Sequence, residues 1–154
     1  MDPHRETVPA TTLPDIEPGG DQNSQTAAEW IIDAAGCDPH LLADVDRLRQ
    51  ICDAVVTGLK LRVVGEPCWH RFPKRANSTA PGGATGLYLL AESHLTCHTF
   101  PEMRLAAFNL YCCRELAPWD WNEFLRDRLD AATVVVRMVT RGLAAVTDAC
   151  EEPR

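Results

Sequence analysis

Three strand-forming runs, residues 87–91, 95–100 and 105–112, follow one another with gaps too short for anything but turns. Strands joined so tightly run antiparallel, because a parallel crossover needs a dozen residues or more. Other extended segments lie on either side. Residues 61–64 and 68–72 precede the runs, residues 29–34 form a short strand closed by Gly36, and the β-branched stretch 133–139 reads as a final strand. Asp38-Pro39 supplies a helix cap and a first-turn proline. Beyond it, Leu41, Leu42, Val45, Leu48, Ile51, Cys52, Val55 and Val56 recur at spacings of three and four, predicting one long helix over residues 40–59. Pro118-Trp119-Asp120-Trp121 leads into a second helix with Phe124, Leu125 and Leu129 on one face. The Pro- and Gly-rich stretch 73–86 reads as a long loop. The order β-α-β-β-β-β-α-β predicts an α+β fold, a two-layer sandwich with helices on one face of a largely antiparallel sheet.

At 154 residues the chain has room for one core. Residues 1–26 are rich in Pro, Gly and polar side chains and read as a disordered tail. The folded domain is expected over residues 27–145, with a flexible tail at 146–154. A net charge of -7 argues against a nucleic-acid binder, which needs clustered Lys and Arg. Without an apolar run of about 18 residues or a signal-like N-terminus, a cytoplasmic protein that does not engage a membrane is expected. The seven cysteines, Cys37, Cys52, Cys68, Cys97, Cys112, Cys113 and Cys150, are odd in number and include no C-x-x-C pair. They read as mostly buried thiols rather than a disulfide framework.

Chemistry concentrates in residues 86–102, where Glu92, Ser93, His94, His98 and Glu102 interrupt what would otherwise be apolar strand. Alternation puts Ser93, Leu95 and Cys97 on one face and His94, Thr96, His98 and Phe100 on the other. A zinc site of His94, His98, Cys112 and Cys113 fails on a strand, because a four-residue separation holds the two imidazoles roughly 13 Å apart. Each polar residue taken alone could be structural. Together, Glu92-Ser93-His94-Leu95, His98, Pro101-Glu102 and Cys113, with Thr85-Gly86 upstream, resemble the bacterial S-adenosylmethionine decarboxylase proenzymes. The resemblance spans about residues 27–142, with weaker agreement at His70-Arg71-Phe72 and from Val136-Arg137 to Arg141-Gly142.

The resemblance implies an enzyme that makes its own cofactor. Ser93 would attack the Glu92 carbonyl to form an ester, and elimination would cut the chain and turn Ser93 into a pyruvoyl group. A β chain of residues 1–92 and an α chain of residues 93–154 would result. Thr85 falls where relatives carry a serine that steadies the processing intermediate, and His98 falls on the proton acceptor. Such residues are needed because an ester forms only if its oxyanion is stabilised, and elimination proceeds only if a base reaches the α proton. The substrate amine would then form a Schiff base with the pyruvoyl carbonyl, which holds the electrons left by departing carbon dioxide. Cys113 matches the proton donor, Cys112 beside it is packing, and no metal or pyridoxal phosphate is called for. Phe72 and Phe100 match aromatic positions of the substrate site, Phe72 stacking on adenine, while Glu102 matches the carboxylate that binds the ribose hydroxyls. The implied product is decarboxylated S-adenosylmethionine, the aminopropyl donor for spermidine, and the implied assembly is a homodimer of αβ units, which exposed Val135-Val136 would suit.

Two features depart from the family pattern. Ala27-Ala28-Glu29-Trp30 stands where relatives often have Gly-x-His, and the loop before Thr85 is long and carries Lys74 and Arg75. A pyruvoyl-dependent arginine or ornithine decarboxylase is therefore the alternative, and an uncleaved, non-enzymatic relative the third reading.

Overall fold

The computed structural model describes residues 27–141. The tails expected at 1–26 and 146–154, with Gly142 and Cys150, lie outside the described residues. Strands β1 (Ala27–Ala35), β2 (Cys68–Arg71), β3 (Ala84–Leu90), β4 (Ser93–Phe100), β5 (Leu105–Cys112) and β6 (Thr133–Arg141) form one sheet. Its order is β2-β3-β4-β5-β1-β6 and every neighbouring pair is antiparallel. Helices α1 (Pro39–Ala43), α2 (Val45–Gly58) and α3 (Trp121–Leu129) supply the second layer. The expected α+β sandwich is the observed fold.

Strand alternation sets the two faces of the sheet. Ile32, Ala34, Tyr88, Leu90, Leu95, Cys97, Phe108 and Leu110 are buried on the helical side, against Leu42 of α1, Leu48, Ile51 and Val55 of α2 and Trp121, Leu125 and Leu129 of α3. The other face carries no second layer among the described residues. Leu87, Leu89, Val135 and Val139 stand exposed on it. Val136 is exposed as well, but its register with buried Ile32 puts it on the helical side of β6.

Two boundaries differ from the sequence reading. The single helix expected over 40–59 is two helices, because Asp44 leaves helical geometry at φ -84°, ψ 96°. Its carboxylate caps α2 by accepting from the N–H groups of Asp46 and Arg47 at 3.1 Å each, as Asp38 caps α1. The apolar spacing continues across this break, so periodicity alone does not reveal it. The loop expected to reach Gly86 ends at Gly83, since β3 begins at Ala84. Gly86 is a strand residue that lets Trp69 of β2 lie over it: a Cβ there would come within 2.6 Å of the indole.

The β3–β4 hairpin is tied to the helical layer by Thr99. Its buried hydroxyl donates to the Leu42 carbonyl at 2.7 Å and accepts from the Ala84 N–H at 2.8 Å. One side chain thus links α1, β3 and β4 near the end of the hairpin remote from its turn.

Candidate active site

The β3–β4 turn, Ala91-Glu92, presents the Glu92–Ser93 peptide. Ser93 opens β4 at φ 150°, a conformation that costs a residue bearing a Cβ about 1–3 kcal/mol. Strain is therefore held at this peptide. The Glu92 carbonyl accepts a hydrogen bond from the Cys113 main-chain N–H at 3.1 Å. The Glu92 carboxylate, largely buried, accepts from the main-chain N–H of Arg62 at 3.1 Å and from its Nε at 3.3 Å, with Arg114 Nε at 4.0 Å. Arg114 also donates to the carbonyls of Leu59 and Lys60. Acyl carbon, hydroxyl and a main-chain donor aimed at the carbonyl oxygen are gathered at one point.

Cys113 follows directly on β5 and its thiol is exposed. Its neighbour Cys112 is buried opposite Ser93, and burial pushes that thiol's pKa up. The pair divides as the alternation requires, one thiol facing solvent and one packed.

A second cluster occupies the other end of the hairpin. Thr85 and His98 face each other across the β3–β4 ladder, with Thr85 Oγ1 2.9 Å from His98 Nδ1. They line a cavity of about 530 Å³ together with Phe72, Phe100, Glu102 and the loop residues Arg75 and Gly83. Phe72 packs edge-on against His70 with centroids 4.6 Å apart. Arg75 reaches Glu102 at 3.4 Å, so the long loop closes one side of the cavity. A concave site with aromatic walls, one carboxylate and one imidazole suits a small polar ligand with a flat ring.

The candidate residues thus fall into two groups. Glu92, Ser93 and Cys113 meet at the turn, while Thr85, His98, Phe72, Phe100 and Glu102 meet around the cavity. Within one chain the groups do not meet: five residues of strand separate Ser93 from His98, roughly 16 Å.

Three contributors at the turn escape the sequence reading, and a fourth is named there without a role at the turn. Arg62 and Arg114 come from segments 30 and 22 residues away and carry no local signal. The Cys113 N–H belongs to the backbone and has none either. His94 is different, because its adjacency to Ser93 is visible: Ser93 Oγ lies 3.2 Å from its Nδ1.

Comparison with known proteins bears on the whole domain. Residues 28–142 match the family described as S-adenosylmethionine decarboxylase. An S-adenosylmethionine decarboxylase proenzyme from Caldanaerobacter subterraneus subsp. tengcongensis is 33% identical over 111 residues, covering 70% of this chain and 82% of the relative. One from Thermococcus onnurineus is 33% identical over 116 residues, 74% of this chain and 76% of that protein. The crystal structure of the adenosylmethionine decarboxylase from Aquifex aeolicus superposes with a TM-score of 0.58 at 23% identity, covering 77% of this chain and 92% of the other. That likeness is one of fold.

Proposed function

The chain belongs to the S-adenosylmethionine decarboxylase family, and on that footing we propose that it cuts itself between Glu92 and Ser93 and then decarboxylates S-adenosylmethionine. The observation that carries the reading is the Glu92–Ser93 peptide itself, strained at Ser93 and held by the Cys113 N–H at its carbonyl oxygen. Attack by Ser93 Oγ on the Glu92 carbon places negative charge on that oxygen, where a fixed donor at 3.1 Å has most effect. Removal of the Ser93 α proton then expels the Glu92 carboxylate and opens the chain.

The residues around Ser93 fit the pyruvoyl group that the family implies. The serine is partly exposed and an accessible thiol stands beside its turn, whereas a fully buried serine would leave no room for substrate. When formed, that group supplies an electrophilic carbonyl that bonds the substrate amine and takes up the electrons released with carbon dioxide. The Cys113 thiol then returns a proton to the former α carbon. Phe72 and Phe100 enclose the adenine, and Glu102 holds the ribose hydroxyls. The product is decarboxylated S-adenosylmethionine, the aminopropyl donor for spermidine.

The separation of the two groups along β4 favours a homodimer with shared sites. A twofold axis lying in the open face, across β4 near its middle, carries the Ser93 end of one copy onto the His98 end of the other. Thr85 and His98 of one copy then serve Ser93 of its partner, and the Phe72, Phe100 and Glu102 cavity opens beside Cys113 of that partner. Exposed Leu87, Leu89, Val135 and Val139 supply the apolar contact such a face needs.

Denaturing electrophoresis with mass measurement tests the first step. Two fragments are expected, meeting at Glu92 and Ser93, the second lighter than its serine-initiated sequence by one ammonia. A single intact chain excludes the enzyme. Release of carbon dioxide from S-adenosylmethionine, and not from arginine or ornithine supplied separately, tests the second step.

A further inference from the structure

We propose that His94 is the base, and then the acid, of the first step of processing, the transfer of the Glu92 acyl group from nitrogen to the Ser93 oxygen. The inference rests on the self-cleavage reading and names a residue to which that reading gives no part.

Adjacent side chains on a regular strand point to opposite faces. Ser93 and His94 break this rule: the serine hydroxyl lies 3.2 Å from His94 Nδ1, at the position where the backbone departs to φ 150°. The unusual conformation therefore coincides with a contact that ordinary strand geometry forbids. The imidazole is also backed by other groups. His94 pairs in register with Tyr111 of β5, their rings 5.9 Å apart, and the Arg141 guanidinium covers Tyr111 at 4.9 Å. By contrast, His98 is engaged with Thr85 at the far end of the hairpin.

An aliphatic hydroxyl is a weak nucleophile until a base takes its proton. With the imidazole proton on Nε2, Nδ1 accepts the hydrogen bond and is placed to receive that proton. The step balances without a co-reactant. The Ser93 hydroxyl proton passes to Nδ1 and Oγ bonds to the Glu92 carbonyl carbon, whose oxygen is met by the Cys113 N–H. The carbon–nitrogen bond then breaks as the proton passes from His94 to the Ser93 nitrogen. Amide becomes ester, and His94 returns to its starting state. His98 is left for the later α-proton removal, so the two histidines act in sequence on different bonds.

The test follows freshly translated full-length chain by electrophoresis and mass, with and without hydroxylamine, which cleaves esters but not ordinary peptide bonds. Wild type, His94→Ala, His94→Gln and His98→Ala are compared, with circular dichroism as the measure of folding. His98→Ala should stop at the ester and be cut by hydroxylamine after Glu92. His94→Ala and His94→Gln should cleave about 10²–10⁴-fold more slowly than wild type and resist hydroxylamine, because the ester forms too slowly to accumulate. Cleavage at the wild-type rate, or a hydroxylamine-sensitive chain in either His94 variant, overturns the assignment. If His94→Ala does not fold, the near-isosteric His94→Gln decides by the same readout. A wild-type chain that stays intact refutes self-cleavage itself, a different failure from a wild type that cleaves no faster than its His94 variants.

Discussion

Coexpressing a Ser93→Ala chain with a His98→Ala chain should restore cleavage that neither performs alone. The reasoning begins with distance. In the proposed processing His98 would have to approach the Ser93 α proton to about 3 Å to remove it, yet strand geometry sets them roughly 16 Å apart in one chain. In a homodimer with shared sites, random pairing of equal amounts makes about half of the dimers mixed, each with one complete site. That site joins Ser93 of the His98→Ala chain to Thr85 and His98 of the Ser93→Ala chain, while the other lacks both groups. About half of the His98→Ala chains, and about a quarter of all chains, should therefore be cut. Tagging the two chains differently and weighing the fragments gives this number directly, and only the His98→Ala tag should appear on them. Native mass measurement establishes that mixed dimers are present. If they are present and nothing is cut, shared sites are refuted.

Other outcomes follow from single contacts. Cys113→Ala should cleave normally yet turn over no substrate, because in the proposed mechanism processing uses its main-chain N–H and decarboxylation its thiol; Cys113→Pro, which lacks that N–H, should slow cleavage by about 10²–10³-fold in the electrophoretic assay. Thr99→Val removes a buried hydroxyl that serves two main-chain partners and should destabilise the domain by about 1–3 kcal/mol per group left unpaired, read by denaturant titration. Stability should also fall as pH rises above about 8.5. Three thiol pKa values are raised in the folded chain, that of Cys52 by its hydrogen bond with Cys97 and by burial, those of Cys37 and Cys112 by burial, and burial likewise raises that of the Tyr88 phenol. These groups hold their protons in the fold after the unfolded chain has begun to lose them, so alkali favours unfolding; a melting temperature unchanged between pH 7 and pH 10.5 would contradict this.

The sequence makes the hairpin legible because strand alternation and the Glu92-Ser93-His94 cluster lie in one continuous stretch. The break at Asp44 is hidden because the apolar rows of α1 and α2 stay in phase across it, while one aspartate side chain replaces the backbone partner that α2 lacks. Resemblance places Thr85, His98, Ser93 and Cys113 in one site without saying which chain each comes from. The strand rise that parts His94 from His98 also parts Ser93 from His98, so the division was implicit in the spacing. Arg62 and Arg114 could not be read at all, because their link to Glu92 depends on how α2 and β5 end.

The strand order has a further consequence for the proposed cut at Glu92. β1, β2 and β3 then belong to one piece and β4, β5 and β6 to the other, yet β1 lies between β5 and β6. The pieces are interleaved along three ladders, β3 with β4, β1 with β5 and β1 with β6. Neither can leave without dismantling the sheet, so the nicked protein stays one cooperative body. Its unfolding becomes a dissociation, and recovery from denaturant a second-order reaction whose yield depends on concentration, unlike that of the uncut precursor's own chain.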